Sequence, residues 1–200
     1  MQGVSPIIRR GDGEPIRAVL WFSDLRNFTG LSEALPAERV LAMLNEYFDA
    51  IDAALGPRGG EILRFLGDGV LAIFPVSDAM FLPQACGRAL DAAVEALASM
   101  RRVNAGRAAR SEPEIRFGIG LHMGSFTFGN IGTPTRLDFT AIGPAVNRCA
   151  RLESLSKTLD VPIVASAEFN ANCPRRLHSL GSHELRGIAG THEVFTVDAV

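Results

Sequence analysis

Two apolar runs flank a Gly-Asp-Gly turn in the segment Glu61-Ile-Leu-Arg-Phe-Leu-Gly-Asp-Gly-Val-Leu-Ala-Ile-Phe-Pro75. Short runs rich in Ile, Leu, Val and Phe are typical of β-strands, and a brief Gly/Asp connection is typical of a hairpin. The segment therefore predicts a β-hairpin with Asp68 at its tip. This hairpin decides the fold, because a strand and a helix precede it and a helix and a strand follow it.

The flanking elements extend the hairpin into a β-α-β-β-α-β order. Residues 17–23 predict a buried strand that ends in Asp24, and apolar residues at helical spacing predict an amphipathic helix after Pro36. Beyond the hairpin, a helix over about residues 83–101 leads to a strand over residues 115–123 with alternating side chains. This order is typical of the ferredoxin-like split βαβ fold, an α+β class in which helices cover one face of an antiparallel sheet.

The remainder of the chain predicts a C-terminal β/α extension of this core. Residues 126–131 are expected to pair back onto the preceding strand, residues 144–155 to form a helix, and three short strands to complete the extension. We therefore expect one domain over residues 16–200, preceded by a Gly/Pro-rich linker or tail in residues 1–15.

Composition narrows the class of protein. The 200 residues are 47% hydrophobic and 21% charged with a net charge of -2, which is typical of a soluble globular domain and excludes disorder. The charge balance argues against a nucleic-acid partner.

Neither a secretory signal nor a membrane span is apparent, and three scattered cysteines favour a reducing compartment. We expect a cytoplasmic location, alone or as the cytoplasmic part of a longer, membrane-tethered protein. Lys157 is the sole lysine among 20 basic residues.

Two carboxylates are the strongest candidates for chemistry. Asp24 ends the first strand and Asp68 occupies the tip of the neighbouring hairpin, so their side chains can converge. Mg²⁺ takes one or two carboxylates together with substrate phosphates, and such a pair fits that preference. From spacing alone, a helix-capping role for Asp24 and a plain turn role for Asp68 stay open. The turn over residues 25–30 could present backbone N–H groups to phosphate.

A second candidate pair lies on the helix that follows Pro144. Asn147 and Arg151 are four residues apart and share a helix face. An amide and a planar guanidinium there could hold a sugar and a phosphate. A solvated polar face is the alternative reading of this spacing.

Taken together, these segments resemble the catalytic domain of the class III nucleotidyl cyclases of bacterial type. The resemblance is carried by residues 19–29, by the hairpin of residues 61–75, by Gly-Ile-Gly-Leu-His-Met-Gly over residues 118–124 with Gly-Asn-Ile-Gly over residues 129–132, and by residues 138–153. It extends over about residues 17–198 in the family's order and spacing.

The resemblance implies an adenylate cyclase that forms 3′,5′-cyclic AMP and pyrophosphate from ATP with two divalent metal ions, Mg²⁺ or Mn²⁺. Asp24, Asp68 and the carbonyl of Leu25 match the metal ligands. One ion would activate the ribose 3′-hydroxyl and the other would hold the leaving pyrophosphate. Asn147 matches the residue that orients the ribose, and Arg151 the one that stabilises the transition state.

Further positions follow from the same resemblance. Phe28, Thr29 and Arg186 match phosphate-binding positions, and Arg64 and Thr140 match base-binding positions. Arg64 and Arg186 stand where the family commonly has Lys, and guanylate cyclases would have Glu and Cys at the two base positions.

The family's sites lie between two domains packed head-to-tail, so the resemblance implies a head-to-tail homodimer. Residues 1–15 look like a trimmed linker, and we therefore expect a regulatory or sensor region N-terminal to this chain. A catalytically weak or silent nucleotide-binding or dimerisation module, a guanylate cyclase and a small-ligand regulatory domain are the alternatives.

Overall fold

The computed structural model describes residues 13–133 and 136–197. Strand β1 (Gly13–Leu25) is central and pairs antiparallel with β3 (Gly69–Pro75) on one side and β4 (Phe117–Thr133) on the other. Strand β2 (Glu61–Leu66) completes the hairpin with β3, which gives the order β2-β3-β1-β4. This is the strand order of the split βαβ core, so the predicted fold class is confirmed.

Helices cover both faces of the sheet, because alternate residues of β1 are apolar on both sides. Val19 and Trp21 are buried beneath α1 (Phe28–Ala34), α2 (Ala37–Leu55) and α3 (Leu82–Ala109). Ala18 and Leu20 point to the opposite face, where α4 (Pro144–Thr158) covers them. The prediction of helices on one face holds for the core, and the extension adds α4 to the other face.

The extension differs from the prediction at residues 126–131. These residues do not turn back; they continue β4, and residues 126–129 pair with residues 13–16 of β1. That pairing exists because β1 starts at Gly13, three residues inside the predicted linker. The strand that does turn back on β4 is β5 (Arg136–Ile142). The rest of the predicted linker, residues 1–12, lies outside the described residues.

The sheet then continues from β4 through β6, β8 and β7. Strand β6 (Ile163–Ser166) is parallel to β4, and the short helix α5 (Ala167–Asn170) follows it. Strands β7 (His178–Glu184) and β8 (Thr191–Thr196) form an antiparallel pair at this edge. Over the two described ranges, the helices include none that is both long and apolar enough to cross a membrane.

Candidate active site

The structure brings Asp24 and Asp68 together at one end of the sheet. Asp24 is the penultimate residue of β1 and lies opposite Gly69 of β3, while Asp68 occupies the turn directly before Gly69. The two carboxyl groups are close enough for Asp24 to affect the pKa of Asp68. A Cβ atom at position 69 would lie 3.1 Å from Asp24 Oδ1, so glycine leaves space for the carboxylate.

Burial and like charge both act on this carboxylate pair. Desolvation raises the pKa of Asp68 above its ordinary value, and the neighbouring Asp24 raises that pKa further. The crowded charge attracts a cation from within the chain: Lys157 Nζ donates to Asp24 Oδ2 at 3.1 Å. Sequence reasoning noted Lys157 only as the sole lysine and gave it no role.

The donor set fits a divalent cation that also binds a substrate. Among the described residues, no group of three or more His, Cys, Asp or Glu side chains could hold a metal by itself. The pair offers two carboxylates, and the predicted third ligand, Leu25, is the next residue of β1. Mg²⁺ commonly takes one or two carboxylates and completes its shell with water and phosphate oxygens.

The turn after β1 leads directly into a helix. Asn27 adopts the left-handed conformation with φ 55°, which Asn tolerates better than most residues, and α1 begins at Phe28. The side chain of Asn27 makes no capping hydrogen bond to α1, so it leaves the first-turn N–H groups, which include those of Phe28 and Thr29, uncapped. Thr29 is exposed and Phe28 packs partly against the core beneath β1.

Helix α4 lies unusually close to β4 because glycines line the strand beneath it. A Cβ atom at Gly120 would lie 2.4 Å from the carbonyl oxygen of Cys149, and one at Gly124 would lie 2.6 Å from Cβ of Ala145. The glycines of the Gly-x-Gly-x-x-x-Gly pattern thus let the helix backbone rest on the strand. This contact fixes the helix that carries Asn147 and Arg151, both of which are exposed.

The C-terminal end of α4 is anchored to the end of β1. Arg26 Nη2 donates to Ser156 Oγ at 2.7 Å and to the carbonyl oxygen of Val161 at 3.3 Å. Arg26 Nη1 also lies 3.7 Å from Glu153 Oε1. Burial raises the pKa of Glu153 to about 7, and the nearby Asp24 contributes in the same direction. A band of charged groups therefore joins the carboxylate pair to α4.

Within one chain, Asn147 and Arg151 do not converge on the carboxylate pair. Lys157 marks the part of α4 that reaches Asp24, and Arg151 lies six residues earlier, about 9 Å along the helix axis. Successive residues of a helix are rotated by about 100°, so the side chains of Asn147 and Arg151 also point well away from the direction of Lys157. The candidate residues therefore form two separate groups that face different directions.

The predicted base-binding residues lie close together at the edge of the sheet. Arg64 of β2 donates from Nη1 to the carbonyl oxygen of Phe139 at 3.1 Å, and its Nη2 forms an ion pair with Asp138. Thr140 follows two residues later on the same side of β5. Sequence reasoning missed Asp138, although its place two residues before Thr140 in a strand could have indicated a shared face.

Arg186 stands apart from these groups. It is exposed in the connection between β7 and β8, beside the buried residue Leu185. Leu185 belongs to a small apolar cluster with Leu152 of α4. Arg186 therefore follows a residue that packs against α4, the helix that carries Asn147 and Arg151.

Comparisons with known proteins show the family and the fold of this chain. The family described as "Adenylate and Guanylate cyclase catalytic domain" matches residues 15–199. "Adenylate cyclase 1" of Rhizobium meliloti (strain 1021) is 34% identical over 183 residues, which are 90% of this chain but only 27% of that protein.

Two solved structures cover almost the whole chain. The adenylyl cyclase CyaB from P. aeruginosa is 26% identical with a TM-score of 0.85, covering 94% of this chain and 97% of the other. The guanylyl cyclase Cya2 is 29% identical with a TM-score of 0.79, covering 96% and 95%. The chain is thus similar to cyclase domains of both base specificities.

Proposed function

The chain belongs to the adenylate and guanylate cyclase catalytic domain family, and on that premise we propose that it converts ATP to 3′,5′-cyclic AMP and pyrophosphate. One observation carries the proposal: Asp24 and Asp68 converge at the end of β1, while the same chain presents Asn147 and Arg151 on a separate, outward face. These are the two halves that a cyclisation site needs.

The oxygen atoms of Asp24, Asp68 and the Leu25 carbonyl fit two Mg²⁺ or Mn²⁺ ions as the metal half of the site. Bound ions of this kind supply positive charge for the triphosphate and a Lewis acid for the ribose 3′-hydroxyl. The uncapped N–H groups at Phe28 and Thr29 can donate to phosphate oxygens beside this half.

The other half orients the ribose and the reacting phosphoryl group. The Asn147 amide can hydrogen-bond the ribose, which aligns the 3′-hydroxyl for attack on the α-phosphorus. The Arg151 guanidinium can donate to the α-phosphoryl oxygens as negative charge builds there in the transition state. Arg186, close to α4, can add a donor to the leaving phosphates.

Joining the halves requires a second copy of the chain, packed head-to-tail as a homodimer. Support comes from apolar side chains around β2 and the β4–β5 pair that are 40–52% exposed: Phe65, Leu66, Ile131, Phe139 and Ile142. Contiguous exposed apolar side chains mark interaction surfaces. A second copy that covers them would bring its carboxylate pair towards the Asn147 and Arg151 of the first.

The ion pair between Arg64 and Asp138 bears on the choice of base. Arg64 can only donate, which suits adenine N1, and Asp138 or Thr140 can accept from the adenine amino group. Guanine presents an acceptor at O6 and donors at N1 and N2, so the same pair could serve it if the base shifts. This pair favours guanylate cyclase as the second candidate, and we expect an ATP preference of only about tenfold.

Initial rates with ATP and GTP, each with Mn²⁺ or Mg²⁺, test the assignment. We expect cyclic AMP as the main product and no product when metal is removed. A clear preference for GTP would replace the adenylate by the guanylate assignment. Failure to form either product would leave a silent nucleotide-binding or dimerisation module.

Complementation between variants tests the shared site. Asp24→Ala and Arg151→Ala are each expected to be nearly inactive, since every site in either homodimer loses one group. Mixing the two variants should restore activity, because one of the two sites in a mixed dimer is intact. Absence of recovery despite demonstrated subunit exchange would argue against head-to-tail packing.

The wider setting of the domain is also part of the proposal. The chain spans 27% of the length of its Rhizobium relative, which leaves room for a regulatory or sensor region in a longer protein. A cytoplasmic location would supply the nucleoside triphosphate, and it agrees with the free thiols of Cys86, Cys149 and Cys173.

A further inference from the structure

Lys157 contacts the carboxylate pair, but the proposed cyclisation assigns it no role. Its ammonium group donates to Asp24 Oδ2 at 3.1 Å, across 133 residues of sequence. Both side chains are partly exposed, Lys157 by 42% and Asp24 by 26%, so the pair is open to exchange with solvent ions. Lys157 is also the one lysine among 20 basic residues, although Arg serves at the other 19 positions.

The backbone that carries Lys157 is held firmly in place. The adjacent residue, Ser156, is buried and accepts a 2.7 Å hydrogen bond from Arg26. A Cβ atom at Gly118 would lie 2.4 Å from Ser156 Oγ, so that glycine is needed for the contact. The anchored backbone keeps the ammonium group near Asp24, while its four-carbon stem leaves the group able to swing away.

The chemistry of an ammonium group differs from that of a guanidinium group at this position. A guanidinium group would grip the Asp24 carboxylate through two parallel N–H donors, whereas an ammonium group is a single point charge. An Arg would therefore resist displacement from Asp24 more strongly than Lys157 does. A divalent cation that binds Asp24 must replace this contact at Oδ2 or accept a positive charge beside it.

We propose that Lys157 is a displaceable counter-ion of the metal site: it neutralises Asp24 while the site holds no metal, and a divalent cation must displace it to bind. Lys157 thereby sets the concentration of divalent cation at which the metal site is filled. This inference rests on the proposed function, because it takes Asp24 to be a metal ligand. Lys157 acts through Asp24 and is a positioning residue.

Binding of Mn²⁺ alone, measured by titration calorimetry without nucleotide, tests the inference. Lys157→Met keeps most of the length of the side chain and removes its charge, and we expect it to bind Mn²⁺ about two- to fivefold more tightly. Lys157→Arg keeps the charge and is expected to bind Mn²⁺ no more tightly than the unaltered protein. Arg102→Met is the matched control, since Arg102 pairs with Glu95 on α3, remote from Asp24.

Thermal unfolding supplies a second readout that does not depend on activity. Without metal, Lys157→Met should unfold at a lower temperature than the unaltered protein, because Asp24 loses its counter-ion. In saturating Mn²⁺ this difference should shrink, since the cation binds the variant more tightly. Unchanged or weaker Mn²⁺ binding by Lys157→Met, or tighter binding by Lys157→Arg, would overturn the inference.

Asp24→Asn separates the failure of this inference from the failure of the proposed function. If Asp24→Asn abolishes Mn²⁺ binding while Lys157→Met leaves it unchanged, only the counter-ion role is wrong. If Asp24→Asn binds Mn²⁺ as the unaltered protein does, Asp24 is not a ligand. Both the metal assignment and the counter-ion role then fail.

Discussion

Replacing Gly120 by Ala is expected to push α4 away from the sheet. The new Cβ atom would lie 2.4 Å from the carbonyl oxygen of Cys149 and 2.6 Å from the backbone nitrogen of Glu153. Ordinary van der Waals contact begins at 3.4 Å, so the helix or the strand must move by about 1 Å. Backbone atoms on both sides cannot rotate away as a side chain could.

The displacement has a cost in stability and a separate cost in catalysis. Overpacking of this kind costs about 1–3 kcal/mol, which lowers the melting temperature by about 3–10 °C in a chain of this size. A misplacement of about 1 Å in groups that position a substrate can lower a rate on the order of a hundredfold. Because α4 carries Asn147 and Arg151, we expect a loss of that order in kcat for cyclic AMP formation.

Gly106→Ala is the matched control for this experiment. Gly106 lies inside α3, where a Cβ atom would meet only Arg110 Nη1 at 3.5 Å, so this change should stabilise the protein by about 0.5–1 kcal/mol. Rates are compared well below the melting temperature of each variant. If Gly120→Ala melts within 1 °C of the unaltered protein and keeps at least half its activity, the close contact between α4 and β4 is not required.

Three smaller changes probe other parts of the structure. Burial raises the pKa of Glu153 from its ordinary 4.5 to about 7. Between these two pH values the folded state binds more protons than the unfolded state, so the free energy of unfolding falls as the pH rises. In the unaltered protein this loss between pH 5 and pH 8 should be on the order of 1–2 kcal/mol, measured by urea denaturation. Glu153→Gln is neutral at both pH values and should lack the loss. Tyr47→Phe removes a buried 2.8 Å hydrogen bond to Ser23 Oγ and should cost about 1 kcal/mol in the same assay; a change below 0.3 kcal/mol would show that the bond contributes nothing. Asp138→Ala removes the acceptor beside Arg64 and should raise the ratio of kcat/KM for ATP to kcat/KM for GTP several-fold, with little change in stability. An unchanged ratio would exclude Asp138 from base selection.

The core and the carboxylate pair could be predicted because they follow from local patterns. Apolar runs and turn residues indicate strands and a hairpin whatever surrounds them, and the β-α-β-β-α-β order admits few topologies. Asp24 and Asp68 end neighbouring elements of that order, so their proximity follows from the connection. The assignment of Asn147 and Arg151 to one face likewise needs only the helix period.

The course of β4 could not be predicted from local patterns. Five glycines interrupt it, at positions 118, 120, 124, 129 and 132, and glycine is a poor strand former that commonly marks turns. The strand continues through them because it pairs with β1 and β5, and because α4 needs the space that the missing side chains leave.

The contacts between distant residues were decided by tertiary structure alone. Lys157 meets Asp24 across 133 residues, and Arg64 meets Asp138 across 74. Hydrophobic periodicity indicates which side of an element is buried but not which element covers it. The position of α4 on the face opposite α2 and α3 could therefore not be predicted from periodicity. A charged side chain finds its partner only after the packing of the sheet and helices has fixed both backbones. The sequence therefore determined which residues could carry chemistry, and the packing of α4 on β4 and of β5 beside β2 determined which of them touch.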